Sequence, residues 1–183
     1  MPSHRVLLEL TARYNEPHRH YHTIRHVAWM LHLGRDLGLT TDQILGIWFH
    51  DAVYGVPSDT NEEDSAALAA RWLGSEGYPE SGILTVQQIV LDTKTHLPTV
   101  EPSALVIDLD LSSLAAPREV FVANTEKLRL EYAQFTREEF DHGRLGFLEK
   151  FLDRDRIFCT DWGARFEADA RRNLELDREL LSG

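Results

Sequence analysis

Ile44-Leu45-Gly46-Ile47-Trp48-Phe49-His50-Asp51 runs a wholly apolar segment straight into an imidazole and a carboxylate. Thr40 and Gln43, just upstream, match a helix-opening capping box, so the stretch predicts a buried helix whose end carries the doublet. Burial would strip both side chains of hydration, and a divalent cation is one partner that satisfies both. Taken alone, an adjacent His and Asp most often mark an exposed helix end. The segments on either side are what turn the doublet into a metal-site hypothesis.

Upstream, residues from about His20 to Leu37 read as a helix with His22 and His26 four apart on one face, continued by Trp29 and Leu33. Ile24, Ala28 and Leu31 occupy the other side, so this helix is apolar nearly all round and is expected to be central and buried. A single buried histidine is most simply a neutral ring bonded to a carbonyl. Two on one stripe ask for more. Downstream, Val106-Ile107-Asp108-Leu109-Asp110-Leu111 sets two acids into an aliphatic run. Carboxylates are seldom fully buried without a partner, which here would be a metal or an arginine. The alternation over residues 105–111 has the period of a strand.

The chain has 183 residues, 43% hydrophobic and 27% charged, which suits one soluble domain with a substantial core. The net charge of −11 argues against extended nucleic acid or an anionic membrane as partner, since both demand a basic face. It also repels phosphates, so an acidic chain that handles them needs local positive charge such as a metal. The one cysteine, Cys159, excludes an internal disulfide and a thiolate metal cage. No signal peptide or membrane span is visible, and a cytoplasmic location is expected.

Helix signals recur along the chain. Thr136 with Glu139 repeats the capping box, and Asp59 with Glu62 is a looser version. Gly55-Val56-Pro57, Gly77-Tyr78-Pro79 and Leu97-Pro98 read as helix stops, while Pro117 suits a first helical position. Phe121, Leu128 and Tyr132, then Phe140, Phe147, Leu148 and Phe151, then Phe166, Ala170 and Leu174 recur near helical spacing and are expected in a core. No repeat or Pro/Gly/Ser-rich linker divides the chain.

His26, the His50-Asp51 doublet and a distant aspartate together resemble the HD-domain superfamily of metal-dependent phosphohydrolases. Arg19-His20-Tyr21-His22, Asn61-Glu62-Glu63-Asp64-Ser65-Ala66, Thr93-Lys94-Thr95-His96, Asp108-Leu109-Asp110-Leu111, Arg129-Leu130-Glu131-Tyr132 and Ala170-Arg171-Arg172-Asn173-Leu174 are similar to a small branch of predicted phosphohydrolases within it. The resemblance implies an all-α, compact multi-helix bundle over residues 1–183, with a metal-site core at about 18–115 and C-terminal helices at about 117–181. It makes residues 105–111 helical. It implies a metal held by His26, His50, Asp51 and Asp110, with Asp110 preferred to Asp108 as the distal ligand.

Imidazole with carboxylate suits one divalent Mn, Fe, Co, Ni or Zn, and Mg less. Such a metal acidifies water and polarises a phosphoryl oxygen, which leads to the expectation of hydrolysis of a small phosphorylated substrate, a nucleotide among the candidates. Related nucleotidases resemble one another in a glutamate three residues after the doublet, where this chain has Tyr54. The catalytic candidates beside Asp51 are therefore Glu62 and Glu63 for orienting water, and His96 for phosphate contact or as a weak second-metal ligand. Arg19, Arg25, Lys94 and Arg129 are candidates for phosphate oxygens, with Arg129 and Glu131 alternatively an ion pair, and His22 for the pocket wall. A di-iron oxygenase and a non-catalytic nucleotide- or partner-binding module are the alternatives. The oligomeric state is left open.

Overall fold

The computed structural model describes residues 3–182, and among them every regular element is helical. In chain order these are α1 (His4–Arg13), α2 (Ile24–Gly34), α3 (Thr41–Phe49), α4 (Asn61–Ser75), α5 (Glu80–Thr95), α6 (Glu101–Leu111), α7 (Arg118–Glu131), α8 (Arg137–Leu152) and α9 (Glu167–Ser182). Single 3-10 turns at Ser112–Ala115 and Gly163–Phe166 follow α6 and precede α9. The multi-helix bundle expected from the sequence is thus the architecture observed. No described helix is long and apolar enough to cross a membrane.

Local chemistry places several helix starts. The Thr40 and Thr136 hydroxyls each accept from the third residue of their helix, whose side chain reaches back to the threonine N–H, so both capping boxes are complete. The Asp59 start is corrected: Thr60 occupies the cap, and its hydroxyl donates to Asp64 instead of satisfying a helix N–H. The first predicted helix is also corrected. It begins at Ile24, capped by Thr23, because the backbone N–H groups of His20, Tyr21 and His22 are taken by the Glu131 carboxylate. His22 therefore precedes the helix instead of sharing a face with His26, and Trp29 is 46% exposed.

Two apolar clusters form the core. The first gathers Leu10, Val27, Leu45, Leu68, Ile89 and their neighbours, and includes α1, which lies before the expected limit near residue 18. The second gathers Phe121, Leu148, Phe151, Phe158 and Leu174. Helix α6 serves both: Val106 and Leu109 belong to the first, Ile107 and Leu111 to the second. Burial on both sides explains why 105–111 shows no amphipathic helical stripe, and why its alternation imitates a strand. Helix α3 packs tightly on α5 at Gly46, where a Cβ would fall 2.5 Å from Ile89 Cγ2. That approach sets the end of α3, and with it the doublet, deep in the first cluster.

Candidate metal centre

His50 caps the C-terminus of α3, and its Nδ1 lies 2.9 Å from the Ile47 carbonyl oxygen. A carbonyl only accepts, so Nδ1 carries a hydrogen, and in the neutral ring Nε2 is the nitrogen with the lone pair. Nε2 is buried, with Asp51 Oδ2 2.8 Å away and Asp110 Oδ1 4.0 Å away as the groups nearest it. A ring nitrogen fixed this way by a backbone acceptor is the usual arrangement of a metal-ligating histidine.

One ligand atom each from His26, His50 and Asp51 lies within 4.8 Å of the others. Asp110 meets this trio from α6: its Oδ1 is 2.9 Å from His26 Nε2, and its Oδ2 is 3.2 Å from His96 Nε2. His96 sits just past α5 with a left-handed backbone, φ 54°, a conformation costing a non-glycine residue roughly 1–2 kcal/mol. Arg154 holds the turn by donating to the His96 and Thr95 carbonyls. The strain is local and aims the ring at Asp110, as strained positions at functional sites commonly do.

The cluster demands positive charge. Burial alone would raise the Asp51 carboxyl, but the nearby His50 and His22 charges hold it far below the carboxylate range. Asp110 is likewise lowered, since hydrogen bonds from His26 and His96 outweigh its burial. For His50, burial pushes down while Asp51 and then Asp110 pull up, to about 9 with protons as the only cations. A metal held here would compete with protons for the same two carboxylates, so its affinity would fall with acid.

The supporting residues differ from those expected. Arg19 is buried and spends its guanidinium on the Asp51, Ala52 and His22 carbonyls and on Glu16, closing the backbone left unpaired after α3. Arg129 donates to the Tyr132 and Phe135 carbonyls, closing the turn after α7, and makes no ion pair with Glu131. Lys94 pairs with Glu63 on the surface and also donates to the Asp59 carbonyl. Arg25 is exposed. None of these four cations, nor Glu63, lines the cavity of about 580 Å³ onto which the cluster opens, whereas His22, Asp51, Glu62, His96 and Asp110 do.

Glu131 is the functional residue that sequence reasoning missed. Its Oε1 accepts from the N–H groups of His20, Tyr21 and His22 at 2.7–2.9 Å, and its Oε2 meets His22 Nδ1 at 2.7 Å. The His22 ring, stacked 4.2 Å from the Tyr54 ring, is thereby fixed at the cavity wall. The signal was its position: Glu131 falls on the Phe121 and Leu128 face of α7, where a carboxylate is out of place.

The two acids of α6 have separate work. Asp108 accepts from the Cys159 and Thr160 N–H groups and the Thr160 hydroxyl, tying the segment before α9 to α6, while Asp110 faces the histidines. Two residues on a helix differ by about 200° in direction, so one metal cannot take both. Asp110→Asn should lose bound metal, measured by atomic emission. Asp108→Asn should keep it and lose about 1–3 kcal/mol of stability in urea, because an amide nitrogen then faces an N–H. Metal loss only in Asp108→Asn would reverse the assignment. Compared with models of protein families, with curated proteins and with solved structures, the chain has no match.

Proposed function

We propose that this chain is a cytoplasmic metal-dependent phosphohydrolase of the HD-domain kind, acting on a small phosphate ester. The observation that carries the reading is the convergence of the buried Nε2 of His50, whose ring is oriented by the Ile47 carbonyl, with His26 and Asp51, joined by Asp110 through His26, beside a substrate-sized cavity. The donor set fits one divalent Mn, Fe, Co, Ni or Zn better than Mg. When bound, the metal would polarise a phosphoryl oxygen and make a water more acidic. Around it, His96 is placed to donate to a phosphate oxygen and Glu62 to orient water. His22, braced by Glu131, holds the wall against which the ester is positioned.

The test is phosphate release from a panel of esters by chelator-stripped protein reloaded with each metal in turn. Turnover with at least one transition metal is expected. Tight ligand binding without turnover under every metal would favour a sensor module. In the active form, His96→Ala should raise the barrier by about 1.5–3 kcal/mol, the scale of a hydrogen bond to a charged group, with metal content intact. Lys94→Ala, whose ammonium is committed to Glu63 on the surface, should leave kcat/KM within about twofold. A large loss in Lys94→Ala with none in His96→Ala would move the phosphate contact.

A di-iron oxygenase is favoured by one feature: Asp110 presents each oxygen to a different histidine, His26 and His96, as a carboxylate bridging two metals would. A metal titration separates the readings. About one equivalent per chain is expected, and two irons would support the oxygenase.

A further inference from the structure

The walls of the cavity bear on what the ester carries. Away from the histidines and aspartates they are largely ring and aliphatic surface, with Phe121, Leu128, Tyr132, Phe140 and Phe147 prominent. Arg144 is the one lysine or arginine lining it among the described residues. Its guanidinium is already engaged: Nε donates to Asp177 at 3.1 Å, Nη2 reaches Thr125 Oγ1 at 3.4 Å, and the group lies 5.5 Å and 5.0 Å from the Phe121 and Phe147 ring centres. Against it stand four lining carboxylates, Asp51, Glu62, Asp110 and Glu139.

Resting on the phosphohydrolase reading, we infer that the substrate is a phosphomonoester with a single phosphate on an apolar, ring-bearing alcohol, and that polyphosphates are excluded. A single phosphate carries about −1.5 to −2 charge near neutral pH, and a divalent cation whose charge Asp51 and Asp110 already balance would meet it by direct coordination, with His96 beside it. Each further phosphate would bring another charge into a space lined by four carboxylates, whose one arginine shares Asp177 with Arg118 and lies against the Phe121 and Phe147 rings, and unpaired buried charge is strongly disfavoured. The cations that might have met a longer chain, Arg19, Lys94 and Arg129, are spent on backbone carbonyls and Glu63 outside the cavity. A volume of about 580 Å³ accommodates a ring system, and walls of mainly apolar surface with polar groups set among them are the general form of a site for such a body.

The experiment compares 2-phenylethyl phosphate, 2-phenylethyl diphosphate and glycerol 3-phosphate on Mn-loaded protein, all three esters of primary alcohols, and scores release of the free alcohol, the product of cleavage at the ester P–O bond. It also measures, by calorimetry, binding of 2-phenylethanol and glycerol to chelator-stripped protein. The expected kcat/KM for 2-phenylethyl phosphate exceeds that for glycerol 3-phosphate roughly thirtyfold, the scale of burying one phenyl group. It should exceed that for the diphosphate at least about tenfold. The phenyl alcohol should bind on the order of 1 mM or tighter, and glycerol should not. Equal turnover of the glycerol ester, or preference for the diphosphate, would overturn the inference and leave the hydrolase reading standing. No turnover of any ester under any metal would instead sink the hydrolase reading. In that case 2-phenylethanol binding still supports the apolar-body assignment, and its absence overturns that too.

Discussion

His50→Ala is expected to strip the protein of transition metal and of phosphatase activity together. The imidazole supplies a buried ring nitrogen oriented by the Ile47 carbonyl toward Asp51 and Asp110. Asp51→Ala should do the same, because it removes the carboxylate 2.8 Å from that nitrogen. Metal per chain, read by atomic emission after gel filtration, should fall from about one to near zero in both. Stability should fall in parallel. A ligand held at a hundred times its dissociation constant contributes about 2.7 kcal/mol to the folded state, and these variants forfeit that contribution. Chelation should therefore lower the melting temperature of the parent and leave that of His50→Ala nearly unmoved. Full metal retention in both variants would remove the site, and an unchanged parent melting temperature on chelation would make it a structural cluster.

Glu131→Ala should destabilise the fold by about 3–5 kcal/mol, among the largest losses a single truncation produces, with little of it due to lost apolar contact. Three partly buried N–H groups and the His22 ring would lose their acceptor at once. The carboxylate also predicts a pH signature. Burial pushes the Glu131 carboxyl up, but the His22 ring and the backbone N–H groups more than reverse this, to about 2 from an ordinary value near 4.5. A carboxylate depressed on folding stabilises fully above its unfolded value and loses that contribution as pH falls through the folded one. Between pH 5 and pH 2 the parent should lose about 3 kcal/mol from this group. Glu131→Gln cannot titrate, so its urea midpoint should fall less steeply over that window. Parallel acid profiles for the two proteins would show that the carboxylate is not held as described. The same variant tests the role of Glu131 behind His22: kcat should drop while metal content stays near one.

Much of the scaffold was legible in the chain because it rests on local chemistry. The Thr40–Gln43 and Thr136–Glu139 boxes are complete within four residues of backbone, and they formed as expected. Asp110 and Asp108 were separable in advance only on the condition that 105–111 is helical, since the two faces of a helix diverge and those of a strand do not. Where the reading failed, the deciding partner was distant in sequence. Arg19 was taken for a phosphate clamp, yet it meets the Asp51 and Ala52 carbonyls. Lys94 was placed at the pocket, yet it finds Glu63 on the next helix over. An isolated arginine or lysine carries no mark of which acceptor tertiary packing will bring to it.

The sequence by itself determined the capped helices and the buried end of α3, because apolar period, capping residues and the cost of burying polar groups all act within a few turns of chain. The all-helical class through residues 105–111 and the grouping of distant imidazoles and carboxylates were implied only by the resemblance. Only the tertiary structure decided that His26 and His96 address opposite oxygens of Asp110. It alone decided that Glu131 holds the backbone before α2 and fixes His22, and that the cavity wall is rich in rings and carries Arg144 as its one lysine or arginine among the described residues. These outcomes depend on contacts between residues dozens of positions apart. Such contacts form when helices dock along faces that must first be buried, so no single segment carries the information that selects them.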